Sequence, residues 1–407
     1  MTAPDSVTDR HGPAARRYAL VAGGGTAGHL QPALAIAEAL VAEGHDRSSI
    51  EFVGSERGQD ATTLAGRGFP VTLLPGRGIK RSLAPRDLVD NVRSAAGLAV
   101  AASRAVRLVG RVRPEVVVAV GGYASLAGAI GALVHRVPLV LVNVDAVPGA
   151  VNRLLGRFAT ACAVGWDGNP LPHSVVTGTP VRPEIAAVDR TAASRASARR
   201  LLGLPDDRAV VAVFGGSLGA RQINRAVDGA VERWSTRDDL AVYHIVGRRD
   251  WPAYVDGPAG GGAGAVAPGG DAPGLALVRV PYEERMAAVY AAADLVVCRA
   301  GAMTVAELAA TGVPSVLVPL PGAPGDHQTA NARVLERVGA AVVLADPDCT
   351  PAGLTGAVEA LLADREHLGA MGRAAAAVGR PDAAAAGARV VEAAARPGGA
   401  RPPRRVA

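Results

Sequence analysis

Three glycine-rich turns and one polar cluster hold the groups in this sequence that could do chemistry. The first turn, Gly23-Gly24-Gly25-Thr26-Ala27-Gly28-His29, follows the apolar run Tyr18-Ala19-Leu20-Val21-Ala22. The second is Gly121-Gly122-Tyr123 and the third is Gly215-Gly216-Ser217-Leu218-Gly219-Ala220. Each stands after a strand-like run and before a segment with helical spacing. Glycine lets the backbone approach a phosphate, and the helix start adds unpaired N–H groups and a partial positive charge. Tight strand–helix packing selects the same residue, so one such turn says little. Several at corresponding strand ends suggest a ligand with more than one phosphate, or two ligands. By letter, Gly23-x-Gly25-x-x-Gly28 satisfies the dinucleotide fingerprint, and Glu56 supplies the acid an NAD ribose would need. His29 has no part in that reading. At the first turn of the helix it could act as a general base, touch a diphosphate, or merely bond locally.

The polar cluster lies in CRAGAMTVAELAATGVPSVLVPLPGAPGDHQTANA, from Cys298 to Ala332. Residues 294–298 read as a strand and Arg299-Ala300-Gly301-Ala302 as a turn. Thr304 and Glu307 have capping-box spacing; the functional alternative for Glu307 is a carboxylate that takes two ribose hydroxyls. After a strand at 315–319 come Asp326, His327, Gln328 and Asn331, the side chains that sugar hydroxyls require. Gln328 and Asn331 would face one side of a helix. Asp346-Pro347-Asp348 has the letters of a cation-binding string. Its place before Thr350-Pro351 reads instead as a loop and a helix cap. HExxH, paired CxxC, a P-loop lysine and a Gly-x-Ser-x-Gly elbow are absent from the sequence. Cys162, Cys298 and Cys349 lie far apart and read as inert thiols of a reducing compartment. No metal or cofactor is expected.

Strand-like runs at 19–22, 50–53, 71–74, 116–120 and 139–142 alternate with helical segments at 32–43, 88–109 and 126–134. The pattern restarts with strands at 210–214, 241–246, 275–280, 295–298 and 315–319 and a helix at 222–234. Apolar strands alternating with helices make parallel sheets covered on both faces. The 407-residue chain therefore reads as α/β with two Rossmann-like halves. Their joint falls in the turn-forming stretch at 177–189. The expected limits are a tail at 1–17, a first domain at 18–180, a second at 181–377 with an insert about 257–274, a final helix about 378–395 that packs back on the first domain, and a tail at 396–407.

Aromatic residues make up only 3%, which argues against single-strand nucleic-acid binding by stacking. A net charge of +6 suits phosphorylated ligands or an anionic surface. The N-terminus lacks the apolar core of a secretory signal. The uncharged stretch 116–134 is long enough to span a bilayer, but Gly121-Gly122 splits it into a strand, a turn and a helix. Arg77, Lys80, Arg81 and Arg86 interleave with Leu83, Leu88 and Val89. That pattern fits an anionic leaflet or an ordinary solvated loop.

Taken in order, GGGTAGHLQPALAIA, VGGYASL, DAVPGAVNRLL, VTGTPVR, VFGGSLGARQINRAV, VPYEERM, CRAGAMTVAEL and DHQTANA resemble the MurG family, from about Tyr18 to Val391. The family consists of peripheral membrane enzymes that transfer N-acetylglucosamine (GlcNAc) to the lipid-linked muramyl-pentapeptide precursor of peptidoglycan. The resemblance implies the glycosyltransferase-B fold, with a cleft between two Rossmann-like domains, and inverting, metal-independent transfer to a C4 hydroxyl. It implies UDP-GlcNAc as donor, a lipid-linked muramyl-pentapeptide diphosphate as acceptor, and the anionic inner leaflet at the cytoplasmic face of the membrane as the surface occupied.

Carried over by position, Glu307 would hold the ribose, and Ala302, Met303, Thr304, Val305 and Ala306 would lie against nucleoside and diphosphate. The backbone at Tyr282-Glu283 would read uracil. Gly216 and Ser217, with Arg182 nearby, would meet the diphosphate, and Gln328 and Asn331 the sugar. Thr26, Ala27, Gly28 and His29 with Gly121, Gly122 and Tyr123 would face the acceptor. One departure stands out: the family's His-Glu-Gln-Asn before Ala-Val-Pro-Gly is Val142-Asn143-Val144-Asp145 here. His29 and Asp145 are the two candidates for the base. The departure raises the alternative of a relative acting on another lipid-linked or natural-product acceptor. An NAD-dependent oxidoreductase and an inactive lipid-diphosphate binder are the remaining classes.

Overall fold

Strands whose residues are apolar at every position are buried on both faces, and the side-chain alternation shows how. The computed structural model describes residues 16–24, 27–56, 60–75, 85–216, 219–255 and 274–396, without the side chains at 27 and 85–96. Thr26, Ser217, the side chains of Ala27 and Arg86, and Arg77, Lys80 and Arg81 lie outside the described residues, as do nearly all of both tails and the insert.

The first sheet comprises β1 (Ala19–Gly23), β2 (Ile50–Ser55), β3 (Val71–Leu74), β4 (Val116–Gly121), β5 (Leu139–Asn143), β6 (Ala161–Val164) and β7 (Ser174–Val176). Its order is β3-β2-β1-β4-β5-β6-β7, parallel throughout. Ala19 and Val21 face a core containing Leu30, Ile36 and Val391. Leu20 and Ala22 face the opposite core, with Ala105, Val109 and Ala127. The second sheet comprises β8 (Ala209–Phe214), β9 (Leu240–Ile245), β10 (Ala276–Val280), β11 (Leu295–Cys298), β12 (Ser315–Leu317) and β13 (Ala341–Val343). Its order is β10-β9-β8-β11-β12-β13, again parallel. Strand order reverses between β1 and β4 and between β8 and β11, and crevices open at such points in parallel sheets. All three glycine turns sit at these reversals.

Residues 116–134 fold as β4 and the helix Gly122–His135, as the paired glycines predict. Among the described residues no helix is long and apolar enough to cross a membrane. Two starts differ from the sequence reading. The first helix begins at Ala27 rather than 32, with Pro32 inside it. The helix after β11 begins at Ala302 with Gly301 as its N-cap, so Thr304 and Glu307 form no capping box. The last described helix, Ala383–Ala395, lies against the first: Ala388, Val391 and Ala394 join its core, and His45 Nε2 meets Glu392 Oε1 at 2.9 Å.

On β9, His244 is fully buried, with Nε2 3.0 Å from Asn224 Oδ1. Burial, aided by Arg279, pushes its pKa from 6.5 down to about 3. The unfolded chain therefore binds a proton that the folded chain refuses throughout that window. His244 contributes no penalty above pH 6.5, and below it costs about 1.4 kcal/mol of stability per pH unit down to about 3. His244→Gln keeps an N–H donor and does not titrate. The fall in Tm between about pH 7 and pH 5 should be shallower in this variant than in the parent by thermal melts; equal slopes would remove His244 from the account.

Candidate active site in the interdomain cleft

At the β1/β4 reversal the two glycine turns make room for one imidazole. A Cβ on Gly121 would stand 2.5 Å from His29 Nδ1, and one on Gly122 would stand 2.5 Å from the Gly24 carbonyl oxygen. Both glycines have positive φ, 128° and 80°. Any other residue would displace His29 or the turn. The imidazole Nδ1 is buried without a hydrogen-bond partner. Burial is the main force lowering its pKa, and His327 adds to it, while Asp145 and Asp60 oppose. A neutral imidazole follows, as a general base requires.

His29 lines a cavity of about 420 Å³ with Gly121, Gly122, Asp145, Asn152, Arg153 and, from the second domain, His327. The segment carrying Asp145 is braced from several directions. Asn143 Nδ2 donates to the Asp145 carbonyl at 2.6 Å, and Asn143 Oδ1 accepts from Asn152 Nδ2 at 3.0 Å. Thr179 Oγ1 donates to the Val144 carbonyl at 3.1 Å. Tyr123 does not enter this cavity lining; its hydroxyl donates to the Pro75 carbonyl at 2.9 Å.

A second cavity, about 660 Å³, opens at the β8/β11 reversal. Gly215, Gly216, Gly219, Arg299, Thr304 and Gln328 line it from the second domain, and Gly28 reaches it from the first. Gln328 Oε1 accepts from the Leu320 N–H at 3.0 Å, which fixes the carboxamide and leaves its nitrogen to donate. Arg299 is buried and ties the loop after β12 to Asp346, a 2.5 Å contact. Asp346–Asp348 forms a short helical turn, and Thr350 caps the next helix, as its sequence position predicts. Among the described residues no group of His, Cys, Asp and Glu is arranged to hold a metal ion.

Glu307 is buried, accepts from the Tyr290 hydroxyl at 2.7 Å and lies 3.8 Å from Arg182. Burial raises its pKa above 4.5, and Arg182 and Tyr290 pull it back. Arg182 thus stands beside the Glu307 carboxylate. Glu283 spends its side chain on the turn that carries it: it accepts from Tyr243, from the Arg285 N–H and from the Arg285 guanidinium. That commits its carboxylate to the turn rather than to the cleft. Val305 and Ala306 pack into the core and Met303 against it, so this segment too reaches the cleft through backbone N–H groups at its helix start.

Gln328 and Asn331 do not share a site. Asn331 is fully buried in the seam between the domains. Glu56, the acid of the dinucleotide reading, is half-exposed and 3.8 Å from Arg104. Sequence spacing gave no sign of Tyr290 or Asn152, because each acts only through a partner brought from another element.

The glycosyltransferase family 28 N-terminal domain profile matches residues 19–164, and the C-terminal domain profile of the same family matches 210–386. A protein of Desulforudis audaxviator named UDP-N-acetylglucosamine–N-acetylmuramyl-(pentapeptide) pyrophosphoryl-undecaprenol N-acetylglucosamine transferase is 38% identical, over 89% of this chain and 95% of its own. One from a Nocardioides species, with the same name, is 40% identical over 91% and 96%. The crystal structure of Acinetobacter baumannii MurG superposes with a TM-score of 0.69 at 26% identity, covering 93% of this chain and 99% of that one. The kitacinnamycin glycotransferase shares the fold, with a TM-score of 0.65 at 16% identity.

Proposed function

We infer, from the premise that this chain belongs to glycosyltransferase family 28 and to the MurG family within it, how its cleft carries out that family's reaction. The chain transfers GlcNAc from UDP-GlcNAc to the C4 hydroxyl of the lipid-linked muramyl-pentapeptide diphosphate. One observation carries the division of labour: two cavities open in the cleft, each lined from both domains, one with the buried, unbonded Nδ1 of His29 and one with a glycine turn and a helix start.

The acceptor occupies the first cavity, where His29 takes the proton from the attacking hydroxyl and Asp145 supports the resulting imidazolium. Gly28, Gly121 and Gly122 admit the acceptor diphosphate. UDP occupies the second. Glu307 binds the ribose hydroxyls, and the backbone of Glu283 meets the base. The Gly215–Gly219 turn and the start of the helix Ala302–Thr311 meet the diphosphate, and Gln328 donates to the sugar. Attack on the face opposite UDP inverts the anomeric centre. The departing charge is spread over the helix terminus and neighbouring arginines. In this assignment residues 18–180 with 378–395 form the acceptor domain, and 181–377 the donor domain. The NAD reading falls with the family assignment.

UDP release measured with the lipid-linked acceptor and UDP-GlcNAc, against UDP-glucose and UDP-GalNAc, tests the reaction. Release restricted to UDP-GlcNAc and dependent on the muramyl lipid supports it. Turnover only with another acceptor would move the chain to a different product.

The acceptor arrives in a bilayer, and the mouth of the first cavity carries a fitting surface. Val147 and Val151 line that cavity and are partly exposed. Leu154 and Phe158 continue the row at helical spacing, 52% and 53% exposed. Arg153 and Arg157 flank them. An apolar row edged with arginine rests on an anionic leaflet, here the cytoplasmic face of the membrane. The variant Leu154→Glu/Phe158→Glu should bind vesicles containing anionic lipid at least about tenfold more weakly in a sedimentation assay. Undiminished binding would refute this face.

A further inference from the structure

Asn331 lies one turn after Gln328 on the helix His327–Arg337 but is turned away from the donor cavity into the seam between the domains. Its Oδ1 accepts from the Ala146 N–H at 2.7 Å, which identifies the oxygen end of the carboxamide. Its Nδ2 donates to Asp145 Oδ1 at 2.9 Å and to the Ala300 carbonyl at 3.3 Å. Both donors and the oxygen are therefore engaged at a position with no solvent exposure. A sugar hydroxyl could accept from this amide only by displacing one of those acceptors, and full burial keeps the oxygen's second lone pair from the cavity. The partners come from opposite sides of the cleft: Asp145 and Ala146 follow β5 of the first sheet, and Ala300 follows β11 of the second. Apolar contacts close around the same point, with Ala146 packed against the second domain's core and Ala302 against the first domain's.

We propose that Asn331 is a positioning residue that sets the Asp145 carboxylate in the acceptor cavity when the domains close, so that donor binding and base assembly are coupled through one helix. The proposal rests on the reading of His29 and Asp145 given above. Gln328 and Asn331 ride on the same rigid helix. A donor sugar that draws Gln328 into place also presents Asn331 to Asp145. With the domains apart, Asp145 loses this hydrogen bond and Ala146 its N–H partner. The carboxylate is then no longer fixed beside His29. Acceptor activation would thereby be restricted to the closed, donor-loaded enzyme.

Full-length Asn331→Ala is the test, read by steady-state kinetics, by UDP binding in calorimetry, and by hydrogen–deuterium exchange over 143–149. The expected result is a 10- to 100-fold fall in kcat, with the KM for UDP-GlcNAc and the Kd for UDP within about twofold, together with faster exchange at Ala146. A direct sugar contact would instead raise the KM for UDP-GlcNAc with kcat little changed, and that overturns the proposal, as does an unchanged kcat. The exchanged pair Asp145→Asn/Asn331→Asp can re-form the cross-domain bond with its polarity reversed. It should recover slow exchange at Ala146 without recovering kcat, because the carboxylate then sits on the donor helix. Full recovery of kcat in the pair would show that the bond alone matters and overturn the role given to Asp145. If the parent enzyme releases no UDP from UDP-GlcNAc and the muramyl lipid, the reaction assignment fails. The exchange data still decide whether Asn331 holds the segment.

Discussion

Replacing His29 with alanine is expected to lower kcat for sugar transfer by about 10²–10⁴-fold, the usual contribution of a positioned general base, while UDP affinity stays essentially unchanged. The structural reason is the fit of the imidazole over Gly121 and Gly122, with Nδ1 buried and unbonded at the wall of the first cavity. Circular dichroism and Tm check that the variant still folds. The pH dependence supplies an independent arm. Burial lowers the His29 pKa from 6.5, His327 lowers it further, and Asp145 and Asp60 oppose without prevailing. The imidazole is thus predominantly neutral at pH 6.5, and the acid limb of kcat/KM should have its midpoint below that value. Asp145→Asn removes one of the opposing charges and should move the acid limb lower still. An acid-limb midpoint at or above 6.5 would be inconsistent with this environment. If His29→Ala raised the acceptor KM and spared kcat, the imidazole would be a diphosphate contact rather than the base.

The elements that hold this site were readable because burial on two faces leaves a plain mark in a sequence. The runs that became β1, β4 and β8 are apolar throughout, and each closes with or is followed by glycine at a strand-to-helix turn. Ala161–Val164 and Ser174–Val176 escaped notice because three or four small residues at the sheet's far edge carry little pattern. Pro32 misplaced the first helix start. Proline favours the first turn, yet here it sits in the second, where it cannot donate back to the Gly28 carbonyl. The site residues divide in the same way. That His29 and Gln328 face the cleft was legible from local context. The separation of Asn331 from Gln328 was not, since one helical turn of spacing says that two side chains are neighbours but not that a second domain covers one of them. Glu307 stood between two readings until Gly301 proved to be the cap.

Glu307→Gln is expected to weaken UDP binding by about 1–3 kcal/mol, the cost of losing hydrogen bonds to a charged group, which calorimetry reads as a roughly 5- to 150-fold rise in Kd. The same substitution should leave Tm at about pH 7–8 unchanged or higher, because of the sign of the carboxyl's pKa shift. Glu307 is buried and its pKa lies above 4.5, raised by desolvation despite Arg182 and the Tyr290 hydroxyl. A carboxyl that binds its proton more tightly folded than unfolded subtracts stability above about 4.5, and the deficit vanishes as pH falls through the unfolded value. Glutamine keeps the shape and an oxygen for Tyr290 without the buried charge. Arg182 retains Glu184, at 3.4 Å. In the donor assignment proposed above, two ribose hydroxyls donating to this carboxylate would stabilise the charge that burial opposes. A UDP affinity unchanged in the variant would remove Glu307 from the donor site. A lower Tm with unchanged affinity would make it a structural partner of Tyr290 and Arg182, and the donor pocket would then have to be sought elsewhere along the cleft.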